Sequence, residues 1–223
     1  MVRRKSTAVT IIALVILASI CFFSQKNESG ELEDCLFREI NDYRNQHGSM
    51  ELQYDQNLAI VAQEHAQWLA NNYNVAQLCG KDEYSINADI TSPHIGANGS
   101  YPWDRVSRSE KMQNKCINVS NENIFISNSP LPTIVKEYGA EYLANKLVTQ
   151  NFGKSPIGHN ENQLNPLWDI CGIGISQTKE RYYLVVMFSD YCDCQNCTAC
   201  KIYGKHHGKN TSSGYEYCYS SSN

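Results

Sequence analysis

The sequence predicts an α+β domain in which helices cover a small antiparallel sheet. Segments 35–46 and 55–72 repeat apolar residues every three or four positions, which is typical of helices that bury one face. A third such segment spans 132–151 and starts with a proline, and two apolar β-forming runs follow at 170–176 and 181–189. Helices followed by a hairpin of strands favour a mixed domain whose helices pack against the sheet.

The first two helices are predicted from their apolar stripes and their ends. The first helix ends before Gly48, and Asp55 is suited to cap the second by accepting hydrogen bonds from backbone N–H groups of its first turn. A histidine on such a stripe is expected to be a core residue that makes one hydrogen bond, and we predict this for His65. The stripes consist of Leu36, Phe37, Ile40 and Tyr43 in the first helix and of Leu58, Val61, Ala62, His65, Trp68 and Leu69 in the second.

Two polar segments interrupt these elements. Residues 72–121 show no apolar period and are predicted to form a long irregular region, the kind of loop that carries function. Segment 155–166, SPIGHNENQLNP, is predicted to be a loop in front of the first strand. We expect its His159 to take part in the chemistry of a site, whereas asparagines of such loops satisfy backbone groups through Asx-type turns. The asparagines concerned are Asn160, Asn162 and Asn165.

The ends of the chain lie outside the predicted domain, which covers 35–191. Residues 1–24 combine a basic start with a 16-residue apolar run, which predicts either a cleaved signal peptide or an uncleaved membrane anchor. Residues 25–34 are predicted to be a polar linker, and 192–223 form a tail rich in cysteine, tyrosine and serine. Without the first segment, 16 basic and 23 acidic side chains leave a net charge of −7 and no basic cluster, which argues against a nucleic-acid partner. A membrane is expected as a partner only if residues 1–24 are retained.

The chain contains ten cysteines, a number typical of an exported protein with disulfide bonds. Cys21 lies in the apolar run, and the other nine are disulfide candidates: Cys35, Cys79, Cys116, Cys171, Cys192, Cys194, Cys197, Cys200 and Cys218. Because nine is odd, at least one of them stays a thiol, binds a metal or bridges to another chain. The four closely spaced cysteines from Cys192 to Cys200 also suit thiolate metal binding, although disulfides are favoured in an oxidising compartment. Five N-x-S/T sequons are glycosylation candidates and begin at Asn27, Asn98, Asn118, Asn196 and Asn210.

Three polar strings, taken in order, resemble one protein family. They are SPHIGANGSYPWDRV at 92–106, SNENIF at 120–125, and SPIGHNENQLNP at 155–166, which leads into CGIGI. Their order and wording resemble the CAP superfamily of cysteine-rich secretory proteins, antigen 5 and pathogenesis-related proteins, and most closely its bacterial-type branch. EHAQWLA at 64–70 is similar to the second helix of that family. The resemblance covers about residues 35–191 and implies an α-β-α sandwich with a surface groove.

The resemblance also implies site residues. The groove histidines of the family fall on His94 and His159, and the glutamate of its GEN string falls on Glu122. Asn121 stands where the family usually has glycine, which implies a differently shaped turn before Glu122. Glu161 comes from the string that holds His159 and is a further groove candidate. No motif marks a counterpart of the second groove glutamate that many animal members carry.

Two imidazoles and a carboxylate are a sufficient ligand set for an open site that binds zinc or another divalent cation. The same trio could act as acid and base. Because the chain lacks a G-x-S-x-G string and an activated cysteine, we expect a secreted, non-enzymatic binding module for a divalent metal and for a lipid, sterol or peptide. The alternatives are a peptidase or esterase that uses His94, Glu122 and His159, and a structural protein anchored at the cell surface. Trp103 is expected to plug the edge of the sheet or the base of a loop, and Arg105 to pair with Asp104 or another nearby acidic side chain.

Overall fold

The computed structural model describes residues 28–73, 92–113 and 115–193. Several sequence-based predictions fall outside these residues: the export segment 1–24, most of the tail 192–223, and Asn27, Cys79, Cys194, Asn196, Cys197, Cys200, Asn210 and Cys218. Helices and one four-stranded sheet make up the described part, which confirms the predicted α+β class.

Six helices lie in the described part of the chain. They are α1 (28–46), α2 (Gln56–Asn72), α3 (Pro102–Arg108), α4 (Leu131–Tyr138), α5 (Ala140–Lys146) and α6 (His159–Leu164). The prediction of a linker over 25–34 is wrong from residue 28 onward, because residues 28–34 belong to α1. Leu32 is fully buried and lies one turn before Leu36, so the apolar stripe of α1 starts earlier than we predicted.

The start of α2 follows the prediction. The carboxylate of Asp55 accepts a hydrogen bond of 2.8 Å from the backbone N–H of Leu58, which caps the helix. His65 is 1% exposed and donates one hydrogen bond through Nε2 to the carbonyl of Pro93 at 2.9 Å, as expected of a core histidine.

The predicted helix 132–151 is not continuous. Gly139 separates α4 from α5 with φ 81° and ψ 153°, a backbone conformation that is accessible almost only to glycine. After α5 the chain continues in a π-helical turn, Leu147–Phe152. The apolar pattern crosses the break because both short helices pack on the same side of the sheet, so the periodicity does not reveal it.

The sheet has the strand order β1-β3-β4-β2. Its strands are β1 (Gln53–Tyr54), β2 (Lys115–Ile126), β3 (Ile170–Gln177) and β4 (Tyr182–Asp193). Strand β1 runs parallel to β3, whereas β4 is antiparallel to both β3 and β2. The two predicted strands are confirmed. Helix α3 and the first part of β2, residues 115–121, lie within 72–121, which we predicted to be irregular.

The sheet is covered on both faces, which gives three layers. Along β4 the residues alternate, so that Leu184, Val186 and Phe188 pack with α1 and α5, while Tyr183, Val185 and Met187 pack with α2. On β3, Gly172 and Gly174 face α2, and a Cβ at either position would lie 2.2 Å from a backbone nitrogen of that helix. Helix α2 can therefore lie directly on the strand. None of the helices in the described ranges is both long enough and apolar enough to cross a membrane.

Two of the nine disulfide candidates are free thiols. Cys35 on α1 and Cys171 on β3 are both buried in the apolar layer between α1 and the sheet. Burial raises the pKa of Cys171 to about 12. Their prediction as disulfide cysteines is wrong because both serve as small apolar core residues.

Candidate functional site

A cavity of about 160 Å³ brings His94, Glu122 and His159 together. His94 comes from the loop before α3, Glu122 from the middle of β2, and His159 from the first turn of α6. The lining consists of His94, Tyr101, Pro102, Trp103, Asn121, Glu122, Asn123, Ile157, Gly158, His159 and Asn162. The three predicted groove residues, which are far apart in the chain, therefore share one surface cavity.

Glu122 is the electrostatic centre of this cavity. It is only 2% exposed, and its Oε1 accepts hydrogen bonds from Arg105 Nη2 at 2.6 Å and from His94 Nδ1 at 3.1 Å. His65 Nε2 lies 3.6 Å from the same oxygen. The other oxygen, Oε2, is buried and has no hydrogen-bond partner among the described residues.

The surroundings of Glu122 keep its carboxylate charged. Burial alone raises the pKa of this group, but the hydrogen bond from His94 and the positive charge of Arg105, with smaller contributions from the neighbouring imidazoles, outweigh that effect. The pKa of Glu122 consequently lies below its ordinary value. At neutral pH the cavity therefore contains a buried carboxylate with a guanidinium bound to it.

Arg105 also ties the loop that carries His94 to the sheet. Its Nη1 donates to the carbonyl of Ser100 at 2.6 Å and to the carbonyl of His94 at 3.2 Å. We predicted that Arg105 pairs with a nearby acidic side chain, and Glu122 is that partner. A single guanidinium thus sets both the charge of the carboxylate and the position of His94.

His65, a buried residue of α2, is the third side chain close to the Glu122 carboxylate. Burial lowers the pKa of His65 to about 4, even though the negative charge of Glu122 acts in the opposite direction. His65 is therefore neutral at pH 7. The sequence stripe correctly placed it in the core but did not indicate that it borders the site.

His94 and His159 face one another across the cavity. Their ring centroids lie 6.5 Å apart, with 58° between the ring planes. Because Glu122 accepts the hydrogen of His94 Nδ1, the neutral His94 ring carries its lone pair on Nε2. Burial, and secondarily the nearby imidazole of His94, lowers the pKa of His159 below its ordinary value, which favours the neutral ring.

His159 is held in place by polar contacts of its own helix. We predicted segment 155–166 to be a loop, but α6 occupies its centre and begins at His159. The carbonyl of His159 accepts a hydrogen bond of 2.9 Å from Asn123 Nδ2, and Asn162 Nδ2 donates to Asn123 Oδ1 at the same distance. The edge of the Phe152 ring packs against the imidazole at a centroid distance of 5.5 Å.

A buried arginine connects α6 to α1. Arg44 is 0% exposed, and its Nη1 donates to the carbonyls of Gln163 at 2.7 Å and Asn165 at 3.1 Å.

Of the three asparagines predicted to form Asx-type turns, Asn165 does so by accepting from the N–H of Leu167. Asn160 instead accepts a hydrogen bond from the hydroxyl of Tyr43.

Aromatic side chains form the outer wall of the cavity. Tyr101 and Trp103 stack with a centroid distance of 4.9 Å and are 38% and 39% exposed. Ile157, on the segment before α6, is 45% exposed and lines the same cavity. The expectation that Trp103 plugs the edge of the sheet or the base of a loop is wrong, because its ring stacks on Tyr101 at the exposed rim of the cavity.

Two further expectations about this region do not hold. Glu161 is exposed on α6 and does not line the cavity. Asn121 lies within β2 opposite Phe188, so Glu122 follows no turn, and Asn121 Oδ1 accepts a hydrogen bond from the backbone N–H of Glu122. The difference from the glycine that is usual in the family is therefore accommodated in an extended strand.

The three predicted residues do not fit a three-ligand metal site. No group of three or more His, Cys, Asp or Glu side chains within the described ranges is arranged to hold an ion. Glu122 Oε1 is already bound by Arg105, whose positive charge would repel a cation on that oxygen. Two imidazoles on one tetrahedral zinc ion would need ring centroids roughly 5.3 Å apart, about 1 Å less than observed. A shared ion would therefore require the rings of His94 and His159 to approach one another, and Glu122 would remain the carboxylate that orients His94.

Comparison with solved structures finds partial similarity to three bacterial proteins. An outer surface protein from Borrelia burgdorferi is 21% identical, with 73% of this chain and 94% of that protein covered and a TM-score of 0.49. An extracellular protein containing an SCP domain from Bacillus anthracis is also 21% identical, with 71% and 40% covered and a TM-score of 0.43. A cysteine-rich secretory protein from Staphylococcus aureus is 14% identical, with 72% and 39% covered and a TM-score of 0.40. This chain thus spans about two fifths of the length of the last two.

The sequence also matches a family model directly. A search of curated proteins gives no significant match. The model of the cysteine-rich secretory protein family, CAP, matches residues 37–191, which is more than half of the chain and nearly the whole of the predicted domain. The chain therefore belongs to the CAP family.

Proposed function

We propose that this protein is an extracellular binding module whose ligand occupies the cavity of His94, Glu122 and His159. The observation that carries the proposal is the buried, ionised carboxylate of Glu122. Its charge is balanced by Arg105, and its contact with His94 Nδ1 fixes the orientation of that imidazole in the cavity. A charged group is costly to bury unless it has a partner, and here the partner also organises a surface cavity. Among the described residues, no serine, threonine or cysteine side chain lines that cavity, which supports binding rather than covalent catalysis.

The chemistry of the cavity suits a ligand with a metal-bound or polar part and an apolar part. A divalent cation such as zinc would be held by the two imidazoles, and when bound it would offer open coordination positions to a further ligand. Tyr101, Trp103 and Ile157 present exposed apolar surface at the rim, which suits contact with the apolar part of a lipid, sterol or peptide. Membership of the cysteine-rich secretory protein family and the predicted export segment support the extracellular location.

Calorimetric titration of zinc into the purified protein tests the metal part of this proposal. We expect 1:1 binding that is abolished in the double variant His94→Ala/His159→Ala and preserved in His47→Ala, since His47 is exposed at the end of α1. The variant Glu122→Gln should bind about 10–100-fold more weakly, as expected of a carboxylate that orients a ligand without being one. Unchanged binding in the double variant would refute the two-imidazole site.

The same titration has an expected pH dependence. Zinc binds neutral imidazole, and the pKa of His159 lies below its ordinary value. Binding should therefore weaken as the pH falls, because protons compete with zinc for the imidazoles, and the lowered pKa of His159 moves the competition at that ring to lower pH. A loss of binding centred above about pH 7 would show that other groups hold the ion.

A hydrolase is the second candidate, favoured by the pairing of Glu122 with His94. A carboxylate that accepts from one imidazole nitrogen leaves the other able to take a proton from water, as a general base does. Hydrolysis of ester and peptide libraries by the wild type, reduced at least about 100-fold in Glu122→Gln and in His94→Ala, would support this function. Turnover that is equal in the wild type and both variants would exclude it.

A further inference from the structure

Strands β2 and β4 place two cysteines directly opposite one another. In their antiparallel register Cys116 pairs with Cys192, between the pairs Lys115–Asp193 and Ile117–Tyr191. Directly opposed residues of an antiparallel pair lie on the same face of the sheet, with Cα atoms about 4.5–5.5 Å apart. Disulfide bonds join cysteines whose Cα atoms are about 4.4–6.8 Å apart. The backbone therefore meets the distance requirement of a disulfide at this pair.

The position of the pair in the sheet gives such a bond a structural role. The register of β2 against β4 shifts between Ile117 and Ser120, so the cysteines lie beyond an irregularity, at the start of β2 and the end of β4. Pairing beyond a bulge is less strongly specified than pairing within a continuous ladder. A covalent link there would fix the register where the ladder alone is weakest, immediately before the C-terminal tail.

We propose that Cys116 and Cys192 form a cross-strand disulfide bond. Its formation removes one proton and one electron from each thiol and joins the two sulfur atoms. The two electrons reduce an incoming disulfide, carried by a thiol–disulfide oxidoreductase or a small-molecule disulfide of the export compartment, to two thiols. Cys35 and Cys171 take no part, because both are buried as free thiols in the core.

Non-reducing peptide mapping of the exported full-length chain tests the bond. Cleavage before aspartate isolates Cys192 in the tripeptide 190–192, separate from Cys194, and isolates Cys116 in 104–168. After thiol alkylation in denaturant without reductant, we expect these two peptides to be linked and Cys35 and Cys171 to be alkylated. Cys116 or Cys192 found alkylated, or joined to any other cysteine, would overturn the proposal.

Substitutions provide an independent readout of the same bond. Cys116→Ser and Cys192→Ser should each lower the midpoint of thermal unfolding by about 4–16 °C, and the double variant should lower it no further than either single one. In Cys116→Ser, Cys192 should become available to alkylation. The control Cys35→Ala should retain the linked peptides. Additive effects of the two serine substitutions would contradict a shared bond.

Discussion

Replacing Arg105 by methionine should destabilise the folded protein strongly. Arg105 is the cation next to Glu122, and the side chains of the pair are 10% and 0% exposed. Charge centres roughly 4 Å apart attract by about 4 kcal/mol at an effective dielectric constant of about 20. Removing one partner of a buried pair costs about 3–5 kcal/mol, because the remaining charge stays buried. We therefore expect the free energy of unfolding of Arg105→Met to be lower by about 3–5 kcal/mol.

Urea unfolding followed by tryptophan fluorescence measures this change, and a double-mutant cycle with Glu122→Gln identifies its origin. In the cycle, Arg105→Met should cost clearly less when residue 122 is already glutamine, since no charge is then left unpaired. Arg108→Met is the matched control, because that guanidinium is largely exposed and lies 3.9 Å from Asp104. We expect the control to change the free energy of unfolding by less than about 0.5 kcal/mol.

The pH dependence of the same measurement provides a second check. The pKa of Glu122 is lowered in the folded protein, so its ionisation stabilises the fold above the unfolded-state pKa of about 4.3 and this contribution is lost as the pH falls through the lowered value. The difference in free energy of unfolding between the wild type and Arg105→Met should consequently shrink as Glu122 becomes protonated at acidic pH. A loss under about 1 kcal/mol at neutral pH, or effects that are additive in the cycle, would refute the account of Glu122 as a charge held by Arg105.

Three further predictions concern the frame around the site. Gly172→Ala should destabilise the protein by about 1–3 kcal/mol or more in urea unfolding, because its Cβ would meet the backbone of α2. The control Gly30→Ala, on open helix surface, should stabilise the protein by about 0.5–1 kcal/mol, and equal effects of the two substitutions would contradict the close approach of α2. Asp55→Ala should cost about 1–2 kcal/mol by removing the cap of α2, while Asp55→Asn should retain most of that cap, and equal costs of the two would show that the charge and not the cap matters. Cys171, whose pKa is raised to about 12, should resist alkylation in the native protein at about pH 8 and react on unfolding; fast native labelling would show that it is not buried.

Much of the frame could be predicted from local patterns. The cap at Asp55 and the burial of His65 follow from a polar residue before an apolar stripe, and strands β3 and β4 follow from runs of β-formers. The patterns failed where an element was short or interrupted. Strand β2 carries polar residues across the register shift, and Gly139 breaks a helix whose apolar pattern continues beyond it.

The candidate site divides in the same way. The ordered strings identified His94, Glu122 and His159, and the structure brings all three to one cavity. The strings did not indicate that Arg105 would take the charge of Glu122, because that pairing depends on how α3 packs against β2. The exposed position of Trp103 was missed for a related reason, since it depends on a stack with Tyr101.

By itself, the sequence determined which segments bury an apolar face, which family the domain belongs to and which imidazoles and carboxylate are candidates for chemistry. Only the tertiary structure decided that Glu122 is a buried charge that is bound by Arg105 and hydrogen-bonded to His94. The physical reason is that periodicity reports the environment of a residue along its own helix or strand. The protonation and partners of a buried charge depend on groups that the fold brings within a few ångströms from distant parts of the chain.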